Sequence, residues 1–352
     1  MTLTMKMRVK HLAALALSLL LPLGAMAQQQ AAPAAKPAEA AAPTPAAGSA
    51  AVRDWNNPPV WSDVERKPQY ASVPGREANV LIQDSGQQWR KLHNGPVTFY
   101  GGIVILVVPA LLLLFYLAKG PIKTPEKPTG RVIERFNSAE RVAHWTMGLS
   151  FIALALTGMT TLFGKYVLLP WLGYSVFAAI AEIGKNIHNF VGPLFIFSLV
   201  VFVVMYLKDH LWAAGDMEWL KNFGGMLSGK HIAAGRFNAG QKVWFWVGVI
   251  VLGITISASG TVMLFPNWNT SRELMTLFNL IHAIVACIFI AMAIAHIYLG
   301  TAGMQGAYKG MREGYVDESW AKEHHQLWYD DVKAGKRHEK VVGAPQPAAG
   351  DD

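Results

Sequence analysis

The sequence predicts an all-α membrane protein, a bundle of five transmembrane helices, from three observations. Of its 352 residues, 52% are hydrophobic and only 15% charged, against about 25% charged in an ordinary soluble domain. Five stretches without charge are each long enough to cross a bilayer. Lys and Arg gather in short clusters beside those stretches, alternating from one side to the other. That placement accounts for the net charge of +8 through the positive-inside rule, so the basic balance does not point to nucleic acid.

The elements follow in order. Residues 1–27 join a basic start ending at Lys10 to an Ala/Leu run and Ala25-Met26-Ala27, the pattern of a secretory signal peptide with an A-x-A cleavage site; uncleaved, the same run serves as a membrane anchor. Residues 28–52, almost all Ala, Pro, Gln and Gly, read as a flexible linker. Residues 53–96 read as a polar periplasmic segment carrying Trp55, Trp61, Trp89 and His93, with His93 structural or exposed. The first transmembrane helix is expected over 97–118 and a cytoplasmic segment over 119–142. Further spans are expected over 143–163, 187–207, 243–265 and 277–300, within a core of 143–308, and a cytoplasmic tail over 309–352. The basic segments include Lys119, Lys123, Lys127, Arg131, Arg135 and Arg141, then Lys208, Lys221, Lys230, Arg236 and Lys242. They place the mature N-terminus in the periplasm and the C-terminus in the cytoplasm of a bacterial inner membrane.

The one cysteine, Cys287, excludes an intramolecular disulfide, a cysteine-ligated iron–sulfur cluster and a C-x-x-C-H haem site; inside the last span it reads as a small buried hydrophobe. Of eleven histidines, four fall at span level: His144, His188, His282 and His296. His282 and His296 are fourteen residues apart on one span, which returns them to within about 40° of one another and separates them by roughly 21 Å. By topology, His188 shares the periplasmic level with His282, and His144 shares the cytoplasmic level with His296. Each level thus holds one His from the fifth span and one from another helix, as two stacked bis-histidine b-type haems require. Iron with both axial positions filled suits electron transfer. A single histidine at a span end is as readily an interfacial polar residue. A proton relay or metal transporter would need intramembrane Asp or Glu partners, and the five predicted spans contain none.

RFNSAERVAHWTMGLSFIALALTG, NIHNFVGPLFIFSLVVF, GRFNAGQKVWFWVGVIVLG, IHAIVACIFIAMAIAHIYLGT and GAYKGMREGYVDESWAKEHH together resemble the gamma, or cytochrome b, subunit of respiratory formate dehydrogenase over about residues 130–330. More distant likenesses are the di-haem cytochrome b subunits of nickel–iron hydrogenases and thiosulfate reductase. The resemblance implies a four-helix di-haem cytochrome b bundle, to which this chain adds an N-terminal transmembrane helix. It implies two haem b groups, with His188 paired to His282 and His144 to His296 as axial ligands, and a quinone site at the cytoplasmic haem shaped by Asn238, Ala239, Gly240 and Gln241. Taken alone, RFNAGQK is a helix start with Asn238 as N-cap. Arg141, three residues before His144, can reach a haem propionate or serve as a positive-inside anchor. The implied partners are the catalytic (alpha) and iron–sulfur (beta) subunits of formate dehydrogenase. The expected role is electron transfer from that periplasmic module to quinone, without formate oxidation by this chain alone. A hydrogenase or thiosulfate reductase subunit, and a cofactor-free anchor or transporter, are the competing readings.

Overall fold

The computed structural model describes residues 84–225, 229, 231–268 and 271–343. The expected signal peptide, the linker and most of the polar segment lie outside these residues. Among the described residues five helical segments are long and apolar enough to cross a membrane: Gly86–Lys119, Ser138–Val167, Leu169–Tyr206, Ala239–Leu264 and Arg272–Gly303, here spans 1 to 5. They run alternately up and down, so the end of span 1, the starts of spans 2 and 4 and the ends of spans 3 and 5 meet at one end of the bundle.

That end carries a three-stranded antiparallel sheet in the order β2-β1-β3, built from β1 (Val132–Glu134), β2 (Tyr315–Asp317) and β3 (Val341–Val342). Ile133 stands opposite Val316 and Val341. Helices Glu318–His324 and Gln326–Lys333 pack Trp320, Ala321, Trp328 and Val332 around Ile133 and Val316. The acidic and aromatic tail therefore folds back on its own chain. We call this the sheet end and the opposite one the far end.

Two starts of the chain's spans repeat one motif. Arg135-Phe136-Asn137 opens span 2 and Arg236-Phe237-Asn238 opens span 4. Each Asn caps its helix through a reciprocal capping box, with Glu140 in one case and Gln241 in the other, worth about 1 kcal/mol per cap. The two motifs clasp: Arg135 donates to the carbonyl of Arg236 at 2.9 Å, and Arg236 returns a bond to the carbonyl of Arg135 at 2.8 Å. Span 4 contains a π-helical stretch, Trp244–Leu252, which holds more residues per turn than the α-helix around it.

Spans differ from their sequence expectation in extent. The chain is already helical over Asp84–Leu92, with a π turn at His93–Val97 around Pro96; proline lacks the N–H that an α turn needs there. Helix also runs from Leu169, broken at Gly173 (φ 72°). His188 therefore lies well inside its helix rather than opening it. Glu182 and Lys185 interrupt the apolar run but not the helix, since hydropathy measures the slab and not the length of helix. Span 1 packs on span 5 where Gly101 faces Cys287; a Cβ on Gly101 would stand 2.6 Å from the thiol sulfur. Cys287 is a free, buried thiol.

Candidate cofactor site

The four span-level histidines come together in two pairs. His188 and His282 face each other with ring centroids 6.2 Å apart, and so do His144 and His296, again at 6.2 Å. The first pair lies toward the far end and the second toward the sheet end, each joining span 5 to span 3 or span 2. Among the described residues no group of three or more His, Cys, Asp or Glu is placed to hold a metal ion. Two imidazoles alone are a poor cage for a bare ion, whereas a porphyrin iron brings four nitrogens and takes two axial ligands. An imidazole nitrogen stands about 2.0–2.1 Å from a first-row metal and about 1.1 Å ahead of its ring centroid, so two rings sharing one metal stand about 6.3 Å apart. Both pairs fit a haem on this ground.

The far-end pair borders an apolar cavity lined by Phe151, Gly158, Gly260 and Cys287, and also by His93 and Ile105 of the first helical segment. His93 is half-buried and packs on Trp89 at 4.9 Å. Trp89 donates to the side-chain oxygen of Asn279 at 3.0 Å, tying the first helix to span 5. Two hydroxyls brace the rings: Thr157 Oγ1 lies 2.8 Å from His188 Nδ1, and Ser259 Oγ lies 3.0 Å from His282 Nδ1.

The sheet-end pair has other surroundings. The His296 ring stacks on Trp244 at 4.8 Å and 9°. His144 Nδ1 is buried without a hydrogen-bond partner among the described residues. Asn238 and Gln241 direct their side-chain oxygens to each other's backbone N–H groups at 3.0 Å, which leaves their amide –NH2 groups as the donors available to a ligand. Gly240 lies under Trp219, whose ring a Cβ would approach to 2.8 Å. Arg141 donates to the carbonyl of Arg312 at 2.9 Å and to Ser138 at 3.3 Å, while its Nε is buried and unbonded among the described residues.

Beneath this pair lies a polar network that the sequence reading left among the loops. Arg236 bonds Glu140 at 2.8 Å and Asp209 at 2.5 Å. Burial pushes the Asp209 carboxyl up, but Arg236 and Arg337 outweigh it and hold it below the usual carboxylate range. Arg135 is buried against the faces of Phe136, Phe237, Trp320 and Trp328, 5.1 to 5.7 Å from their centroids. Burial, and then the neighbouring charge of Arg236, lower it to about 9, which leaves it a cation at neutral pH. His325 donates from Nδ1 to the carbonyl of Gly235 at 2.7 Å, so its Nε2 accepts from Arg135 at 3.0 Å. His210 is stacked between Phe237 and Phe245 at 4.1 and 4.2 Å. The repeated Arg-Phe-Asn triplet was the one sequence signal that could have exposed this network.

A family model for prokaryotic cytochrome b561 matches residues 135–314, just over half of the chain. The chain is similar to the nitrate-inducible formate dehydrogenase cytochrome b556(Fdn) subunit of Escherichia coli strain K12, with 30% identity over 219 residues, covering 60% of this chain and 98% of that one. It is similar to the formate dehydrogenase cytochrome b556(fdo) subunit of the same strain, with 28% identity over 204 residues, covering 57% and 93%. The formate dehydrogenase cytochrome b556 subunit of Haemophilus influenzae strain Rd is 26% identical over 215 residues, covering 60% and 87%. The residues matched by the family model include all four paired histidines. The chain therefore belongs to the prokaryotic cytochrome b561 family, as a multi-pass membrane cytochrome b related to the cytochrome b556 subunits of formate dehydrogenases.

Proposed function

We propose that this chain is the electron-transfer subunit of a formate dehydrogenase complex, holding two haem b groups and delivering electrons to quinone. The observation that carries this reading is the pair of 6.2 Å imidazole contacts, one at each level of the bundle, with span 5 contributing to both. His188 and His282 hold one haem iron, and His144 and His296 the other. When bound, the haems supply one-electron carriers with no open position for substrate. The chain's own residues set where these groups sit, exclude water with the aromatic cluster Phe195, Phe202, Phe245 and Phe289, and keep the two levels apart along span 5.

Quinone is proposed to bind at the sheet end, where the amide donors of Asn238 and Gln241 and the backbone at Gly240 stand on the same helix start as Trp244, the ring that stacks on His296. Arg141 Nε is the donor left for a haem propionate. The excess of Lys and Arg around the sheet end supports placing that end in the cytoplasm of a bacterial inner membrane. Formate would then be oxidised by a separate catalytic subunit on the periplasmic side, and an iron–sulfur subunit would deliver electrons at the far end. Protons for quinone reduction would enter from the cytoplasm.

A reduced-minus-oxidised spectrum of the purified chain, with haem counted per polypeptide, tests the core of this reading. Two b-type haems are expected, falling to one in His188→Ala and in His144→Ala. Folded protein without haem would leave a cofactor-free anchor or transporter. Formate-driven and hydrogen-driven quinone reduction by the isolated complex separates a formate dehydrogenase from a hydrogenase subunit.

A further inference from the structure

Thr157 and Ser259 occupy equivalent places on spans 2 and 4. Each precedes a glycine, and each brings its hydroxyl to the Nδ1 of a far-end histidine at 2.8 and 3.0 Å. Thr157 lies 20 residues beyond Asn137, whereas Ser259 lies 21 beyond Asn238. The helix starts are equivalent, so one extra residue must be absorbed between them, and the π-helical stretch Trp244–Leu252 is the device that does so. Without it, the position facing His282 would be rotated by about 100°. The glycines matter for the same reason: a Cβ on Gly158 would stand 3.5 Å from His188 Cε1, and one on Gly260 3.2 Å from His282 Cε1. Both rings thus lie edge-on against a hydroxyl and a bare backbone.

We infer that Thr157 and Ser259 are positioning residues that accept the Nδ1–H of His188 and His282, fixing the tautomer that ligates through Nε2 and lowering the reduction potential of the far-end haem. This rests on the haem reading above. A nitrogen bound to iron carries no proton, so each neutral ring keeps its proton on Nδ1 and must donate it. A hydroxyl has one proton and two lone pairs. The proton of Thr157 lies between the carbonyls of Ala153 at 2.9 Å and Leu154 at 3.1 Å, and that of Ser259 between the carbonyls of Thr255 at 2.8 Å and Ile256 at 3.1 Å. With its own proton directed to the preceding turn, each hydroxyl oxygen offers a lone pair to the ring. Hydrogen bonding at the outer nitrogen raises the basicity of a ligating imidazole, which favours the oxidised iron. At the sheet end His144 Nδ1 has no such acceptor among the described residues. Both far-end rings are thus braced by a hydroxyl, whereas the sheet-end pair contains one ring, His144, that is not.

The test is a redox titration of the purified full-length chain, with haem counted and EPR g-values recorded, for Thr157→Val, Ser259→Ala, the double variant and Thr157→Ser. An upward shift of one and the same midpoint potential in both single variants, larger in the double variant and restored by Thr157→Ser, is the expected result. The other midpoint stays in place. Unchanged potentials and g-values in a double variant that retains both haems would overturn the inference. Loss of one haem in Thr157→Val and equally in Thr157→Ser would overturn it as well, since the hydroxyl would then not be what matters. Failure of the underlying haem reading looks different: wild-type protein without haem, or an unchanged haem count in His188→Ala and His282→Ala.

Discussion

At the sheet end, the facing imidazoles stand above a dense polar scaffold: two clasped Arg-Phe-Asn motifs, two capping boxes, and Arg236 shared between Glu140 and Asp209. At the far end an equal 6.2 Å spacing is kept with two hydroxyls, two glycines and the packing of span 1 across span 5. The difference follows from where the backbone leaves the helix. Helix starts and ends expose unpaired N–H and C=O groups, so the sheet end must satisfy many polar groups and can use charge to do it. Within a span the backbone is already paired, and a charge costs far more. There the usable polar group is small and can pass its own proton back to the preceding turn.

The largest expected effect on this comparison comes from breaking the scaffold. Arg236→Ala leaves the carboxylate of Glu140, only 9% exposed, without its ion partner, and leaves Asp209 with Arg337 alone at 3.3 Å. Removing one partner of a buried ion pair costs about 3–5 kcal/mol. Denaturation of the purified protein should show that loss. Hydrogen exchange should rise in 131–140, 234–243 and 315–333, while the spectrum of the haem proposed at the far end holds. A loss below about 1 kcal/mol would be the value of an exposed pair and would remove the network from the account of the sheet end.

Acid should unload the same end next. Burial lowers His210 and His324 to about 4 and His325 well below its ordinary value; Arg135 adds to the effect at His324 and His325. All three lie at the sheet end, outside the spans. In the unfolded chain each takes a proton near pH 6.5, while in the folded protein it stays neutral to lower pH. The unfolded state therefore binds more protons between about pH 6.5 and 4, and stability falls as pH drops through that window. Melting followed across this range should show the slope, and His325→Gln should flatten it. No slope between pH 6.5 and 4 would mean that these rings are not held neutral.

Much of this architecture was legible from residue type and spacing. Four histidines sorted by depth into the two pairs that the structure brings together, because span order fixes depth and a fourteen-residue interval keeps His282 and His296 on one face. The helix lengths were not legible. The apolar run marks only the part of a helix that lipid covers, so the extension through Leu169 and the helix over Asp84–Leu92 escaped. Hidden too were Thr157 and Ser259, ordinary helix residues until a partner helix is placed, and the tail, whose Trp320 and Trp328 find Arg135 across nearly two hundred positions. Such pairings depend on tertiary contact that no local pattern encodes.

The smallest expected effect belongs to the far end. Trp89→Phe keeps the ring that packs on His93 at 4.9 Å but deletes the indole N–H that reaches Asn279 at 3.0 Å. Among the described residues Asn279 then keeps a long contact of 3.7 Å from its amide to the Met263 sulfur. A single hydrogen bond of this kind contributes about 0.5–1.5 kcal/mol, too little to unfold the chain. The change should instead appear as faster exchange of amides in 84–98, with the sheet end untouched. Asn279→Ala should produce the same change, and the double variant no more than either alone, because both remove one bond. Additive effects would mean that Trp89 and Asn279 hold the first helix independently, and that the far-end cavity is closed by apolar packing of Ile105 and Gly101 on span 5 rather than by this polar latch.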